Sequence, residues 1–399
     1  MGWLRLIPLL LLCSPAYAQV TGSAASNFRG MPNGNAARGE ISGQTLQQSY
    51  GIGPGTRVLA AMVAWFGSPK HASIGYRSDD PAQVERQLEA MQALGISGAT
   101  VAWYGARDQD LSGKTAGIVL HQAEHLQNFS VAIRVEDSML KWFHKDQSPT
   151  AGLIEELQFA SQNFLNSPAY LRVGGRPVLL FFGFESFSID WDQVKASVPG
   201  HPLFLFRNSK GFSLPGSDGA FAWGVADDFS YLDRFYSAAA SHRGEIAIGD
   251  LHKGFNDTAA SWSKNRIIDQ RCGDTFLDTV RYLPHGLPFV QLLTWDDYEE
   301  GTELETGIDN CVNITLEPAT ASGVRWSTSG NENAVDHYEV QTSADGSSFS
   351  TVARVRPHDH SYNGPLSGSV RVEAVGKALF LNKYSSVESA NAKAESTHP

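Results

Sequence analysis

Six carboxylates fall within the twelve residues Thr294-Trp-Asp-Asp-Tyr-Glu-Glu-Gly-Thr-Glu-Leu-Glu305. Read plainly, this is a solvated acidic loop. It follows directly, however, on Phe289-Val-Gln-Leu-Leu293, an apolar run with the texture of a buried strand, so its first acids must emerge where that strand ends. Asp297 and Glu300 are three apart, which in a helical turn puts both on one side. Two carboxylates facing one bond are what glycoside cleavage uses: a protonated acid for the leaving oxygen and an ionised partner for the sugar or a water. Crowding two like charges raises one pKa, which keeps that acid protonated near neutrality.

Such a pair needs a frame that delivers it to an open face. From about residue 57 to 310, short β-rich runs alternate with amphipathic stretches, a rhythm that predicts parallel strands joined by crossover helices. Strands are expected at Val58–Ala64, Gly98–Trp103, Val131–Glu136, Val178–Phe184, Pro202–Arg207, Ala220–Trp223, Glu245–Asp250 and Phe289–Thr294. Asp80 and Ser148 each precede a proline and an apolar helical period, marking two helix starts. Further helices are expected near 116–127, 190–197, 230–241 and 274–283. Eight units suit a closed (β/α)8 TIM barrel, an α/β architecture. A doubly wound open sheet is the alternative, but no GxGxxG follows the first strand.

In such barrels working side chains cluster at the C-terminal ends of the strands. Here those ends carry Trp65, Trp103-Tyr104, Glu185, Trp223 and Trp295, the last running into Asp297, Tyr298 and Glu300. Flat rings stack on the apolar faces of pyranoses while carboxylates bond their hydroxyls. One ring alone reads as core packing; their recurrence on one rim favours a sugar-binding face. Glu136 ends the third strand in Arg134-Val-Glu136 as a further sugar contact, with a salt bridge to Arg134 as the plainer reading. Glu185, Asn208 and Asp250 end the fourth, fifth and seventh strands as weaker contacts, and Lys253-Gly-Phe-Asn-Asp257 would shape the pocket.

Residues 1–18 carry a basic start, an apolar run and Ala16-Tyr17-Ala18, the pattern of a secretory signal peptide, so a secreted or periplasmic protein is expected. Residues 19–56 read as a flexible leader and 391–399 as a frayed tail. Between 311 and 390 the texture turns to short alternating strands and Gly/Ser/Asn turns. Trp326, His337-Tyr-Glu-Val340 and Val370-Arg-Val-Glu-Ala374 give this small all-β sandwich a resemblance to a fibronectin type III domain. Cys272 and Cys311 remain after signal removal, so they form either a disulfide or two buried thiols.

The net charge of −11 argues against nucleic acid as a partner, and no stretch is long and apolar enough to span a bilayer. His121 and His125 have a zinc-like spacing, but the helix that bears them should pack outside the barrel, and no motif asks for a metal or cofactor. The expected partner is a polysaccharide or oligosaccharide, bound by a monomer.

Thr294-Trp295-Asp296-Asp297-Tyr298, with Glu300-Gly301-Thr302 and Glu305, resembles the strand-eight signature of glycoside hydrolase families 71 and 99, which act on α-1,3-glucan and α-mannan. Ala64-Trp65-Phe66-Gly67, His71, Tyr76-Arg-Ser-Asp79, Gly95-Ile-Ser-Gly98 and Ala102-Trp103-Tyr104-Gly105 look like the first two barrel units of family 99-like proteins, which adds His71 to the sugar contacts. The resemblance implies Glu300 as general acid/base and Asp297 as its partner carboxylate. In family 99 the partner is Glu and is implicated in activating the sugar's 2-hydroxyl; in family 71 it is Asp, and configuration inverts. Asp297 leans toward the second group, although family 71 usually has Gly where this chain has Glu299. A protein that keeps the aromatic rim but only binds carbohydrate or adheres to surfaces is the rival reading.

Overall fold

The computed structural model describes residues 40–108, 111–224 and 228–390, so the expected signal peptide, residues 19–39 of the leader and the 391–399 tail lie outside the described residues. The strands β1 Arg57–Met62, β2 Gly98–Trp103, β3 Ser130–Glu136, β4 Arg176–Phe182, β5 Leu203–Arg207, β6 Gly219–Phe221, β7 Ile246–His252 and β8 Phe289–Leu293 pair in parallel in chain order. β3 joins β4 and β8 returns to β1, with Val58 beside Val290, which closes the barrel. The barrel strands are near-continuous buried apolar runs, as parallel sheets covered on both faces require.

The helices start where the caps predict. Asp80 accepts from the Ala82 amide ahead of Pro81 and opens α2 Pro81–Ala93, whose Val84, Leu88 and Met91 are buried. Ser148 caps α5 Pro149–Asn163 in the same way, burying Leu153, Leu157 and Ala160. The remaining crossovers include α3 Leu111–Ala123, the short α4 Ser138–Phe143, α6 Trp191–Ser197, α7 Ser230–Ser241 and α8 Asp274–Tyr282.

The leader expectation fails from residue 40 onward. Ile41 bridges to Leu381 and is buried. Thr45 closes a capping box with Gln48 at the head of α1 Leu46–Tyr50, whose Leu46 is fully buried. α1 lies against α2, with the Leu46 amide donating to the Leu94 carbonyl, and against α8, with the Tyr50 ring edge-on to Phe276 at 5.7 Å. It therefore fills the seam between α8 and α2, where a crossover helix after β8 would otherwise pack. A five-residue helix with one buried leucine has too few turns to show a period in sequence.

The C-terminal part holds two antiparallel sheets. One contains β9 Asn313–Leu316, β10 Gly323–Ser329 and β13 Ser361–Asn363; the other β11 Val335–Ser343, β12 Ser350–Val355, β14 Ser369–Gly376, β15 Lys383–Tyr384 and β16 Glu388–Ser389. Trp326, Tyr338, Val340, Val370 and Val372 form their shared core. Residues Ala378 to Leu381 leave these sheets and join the barrel's own hydrophobic core in the α1 seam. Phe380 packs so closely on Gly273 that a Cβ there would meet its ring at 2.1 Å. Cys272 and Cys311 form a disulfide across the same junction, 39 residues apart, with Cα atoms 5.4 Å apart.

Candidate active site

After β8 the chain folds back on itself. The Thr294 amide donates to the Thr302 carbonyl, and the Leu304 amide returns to Thr294. Thr294 Oγ1 accepts from the Asp297 amide at 2.9 Å, and the Glu300 amide donates to Asp297 Oδ1 at 3.0 Å. This turn places the Asp297 and Glu300 side chains together on a cavity of about 620 Å3 at the barrel mouth. From the segment after β7, the Asn256 amide holds the Glu300 carbonyl at 2.7 Å, and the indole of Trp262 donates to Glu300 Oε1 at 3.1 Å.

The other acids of the segment are tied into the scaffold. Asp296 Oδ1 accepts from the Val63 amide just after β1. Glu305 accepts from the phenols of Tyr76 and Tyr298, and Glu303 pairs with buried Lys253 at 3.1 Å. Glu299 accepts from His71 Nδ1 at 2.8 Å and from the Ala72 amide at 2.9 Å, which fixes the His71 ring.

Burial pushes the carboxyl groups upward. Asp297 is raised well above the usual aspartate range by desolvation, with the Glu300 charge adding to it. Glu300 is also raised by burial, opposed by the Trp262 N–H. Two buried carboxylates side by side cannot both ionise freely, so the pair retains a proton toward neutrality. Asp296 is pushed up to about 6 and Glu305 to about 7 by the same desolvation.

Across the cavity β3 presents Arg134 and Glu136, two apart and so on one face of the strand. The expected salt bridge exists, Arg134 Nε donating to Glu136 Oε1 at 2.8 Å, yet both residues still line the cavity. The guanidinium lies 4.3 Å over the Trp223 ring, and burial raises the Glu136 carboxyl against the pull of Arg134.

Of the residues expected from sequence, Trp65, His71, Tyr104, Glu136, Trp223, Asp297 and Glu300 meet at this cavity. Six do not. Trp103 points the other way from Tyr104, as strand alternation requires, and packs fully buried against Phe159 and Phe164. Trp295 is fully buried, and Tyr298 is buried on Glu305. Asp250 is buried beneath Tyr231, whose hydroxyl donates to it at 3.0 Å, and is pushed up to about 7 by burial. Asn208 Oδ1 accepts from the Trp223 amide, and exposed Glu185 pairs with Arg207. The Lys253–Asp257 segment does shape the site, through Asn256.

Sequence reasoning missed Trp142 and Trp262, which line the cavity from the segments after β3 and β7. The available signal was a tryptophan in the segment that follows a strand, outside any motif. Among the described residues no group of three or more His, Cys, Asp or Glu is placed to hold a metal ion.

No protein-family model matches the chain, and no curated protein matches it in sequence. In fold it is similar to the GH99 endo-alpha-mannosidase from Bacteroides thetaiotaomicron. The structure of that enzyme with Bis-Tris propane gives a TM-score of 0.51 at 18% identity, over 62% of this chain and 86% of that one. A second structure of the enzyme gives 0.50 at 17% identity, over 62% and 87%. The likeness is one of fold: the chain shares the barrel architecture of that enzyme.

Proposed function

We propose that the protein is a glycoside hydrolase that cleaves an α-linked polysaccharide, an α-1,3-glucan or an α-mannan, with Glu300 as general acid/base and Asp297 as its partner carboxylate. The observation that carries this reading is the Asp297–Glu300 turn, which brings a buried and a half-buried carboxyl together on a cavity walled by aromatic rings. The barrel shared with the Bacteroides enzyme supports it.

In the proposed reaction the Glu300 carboxyl gives its proton to the glycosidic oxygen as the C1–O bond breaks. The Asp297 carboxylate takes a proton from a water whose oxygen bonds to C1, the inverting course. Burial and the shared charge keep a proton on the Asp297–Glu300 pair, and the acid step draws on it through Glu300. The signal pattern of residues 1–18 and the Cys272–Cys311 disulfide support export to an oxidising compartment.

The test is release of reducing ends from a panel of α-1,3-glucan and α-mannan by wild type and by Glu300→Gln. Release by wild type alone is expected. Binding of the glycans without release by either protein means a carbohydrate-binding protein instead.

A further inference from the structure

The cavity rings form one continuous arc. Trp262 meets Trp65 at 5.7 Å, Trp65 meets Tyr104 at 6.1 Å, and Tyr104 stacks nearly parallel on Trp142 at 5.8 Å and 17°. These rings come from the segments after β7, β1, β2 and β3, so the arc follows the barrel mouth. Glu300 sits at its Trp262 end. Trp142 stands at the other, 55% exposed, with Tyr104 over one face and Phe143 against an edge.

An exposed indole held in place by two rings exposes apolar area with no internal use. Among the described residues, two polar atoms of the same β3–α4 segment find no protein partner although their residues line the cavity: Arg134 Nη1 and Ser138 Oγ. Arg134 is only 3% exposed, and a buried donor without an acceptor costs stability unless a ligand supplies one.

We propose that Arg134, Ser138 and Trp142 form an outer subsite for a second, neutral hexose unit, at the β3 end of the cavity beside Glu136. The sugar's apolar face lies on Trp142, and its hydroxyls meet Arg134 Nη1 and Ser138 Oγ. The substrate class is then an uncharged oligosaccharide segment bound over several units. This rests on the proposed hydrolase reading for the site of cleavage, though not for the binding itself.

The test uses α-1,3-gluco- and α-manno-oligosaccharides from disaccharide to hexasaccharide. Affinity is measured on the Glu300→Gln background with and without Trp142→Ala, and cleavage on the otherwise wild-type protein. Trp142→Ala should weaken hexasaccharide binding about tenfold more than disaccharide binding. Trp142→Phe should recover most of the loss, and Ser138→Ala should weaken the hexasaccharide by about threefold. The ratio of kcat/KM for hexasaccharide over disaccharide should fall in step with Trp142→Ala. An unchanged length profile in Trp142→Ala, or a parent protein that binds none of these sugars, overturns the proposal. Trp142-dependent binding with no cleavage by wild type leaves the subsite standing and removes the hydrolase reading.

Discussion

The barrel mouth and the α8–α2 seam are built on opposite terms. At the mouth, buried Asp297 and Glu136 and half-buried Glu300 have raised pKa values, and among the described residues Arg134 Nη1 and Ser138 Oγ find no partner. At the seam, Ile41, Leu46, Leu379, Phe380 and Leu381 bury apolar area, and a disulfide spans the junction. Polar groups whose needs are unmet lower stability and are kept where a ligand can meet them. On the proposed reading the seam carries stability and the mouth carries chemistry, so substitutions in the two regions should separate the two properties.

The largest separation is expected for Glu300→Gln. Loss of general acid catalysis should lower kcat by at least about 10³-fold on polysaccharide, as measured by reducing-end release. Glycosides with good leaving groups should suffer less, because they need little protonation. At the seam, replacing Cys272 and Cys311 with serine frees a 39-residue separation. Unfolding in denaturant should show a loss of about 3–4 kcal/mol with kcat unaltered. A large loss of kcat there would break the contrast.

Smaller effects sharpen it. Glu299→Gln removes the charged acceptor that holds His71 Nδ1 while keeping the side-chain volume. kcat/KM should fall about tenfold as the ring loses its fixed orientation. Trp262→Phe removes the N–H that favours ionised Glu300, so the Glu300 pKa rises. The alkaline limb of the kcat/KM profile should move to higher pH by up to about one unit.

The barrel strands were legible because each is a β-rich run between turn residues, and the caps at Asp80 and Ser148 marked two helices directly. The carboxylate pair was legible from its spacing, since three residues in a turn share a side. Which neighbouring ring faces inward was not. Trp103 and Tyr104 differ by one residue and so by one face, and only the pairing of β2 with β1 and β3 fixes the parity. α1 and residues 378–381 were illegible because each is too short for a period and is ordered by tertiary contacts alone. Trp142 and Trp262 stand in crossover segments, where position depends on the folded loop.

The Asp297–Glu300 pair is held together at a cost in desolvation and like charge, and Asp297→Asn reads that cost and the proposed function at once, through melting temperature and activity on one sample. Asp297 has a raised pKa in the folded protein. Its contribution to stability is therefore full below the unfolded aspartate pKa and is lost as pH rises through the folded value. Asparagine carries no charge to desolvate, so at pH 8 the variant should melt a few degrees above wild type, converge with it near pH 4, and release no reducing ends from the polysaccharide that wild type cleaves. A variant that melts lower at pH 8, or that cleaves as wild type does, would contradict the account.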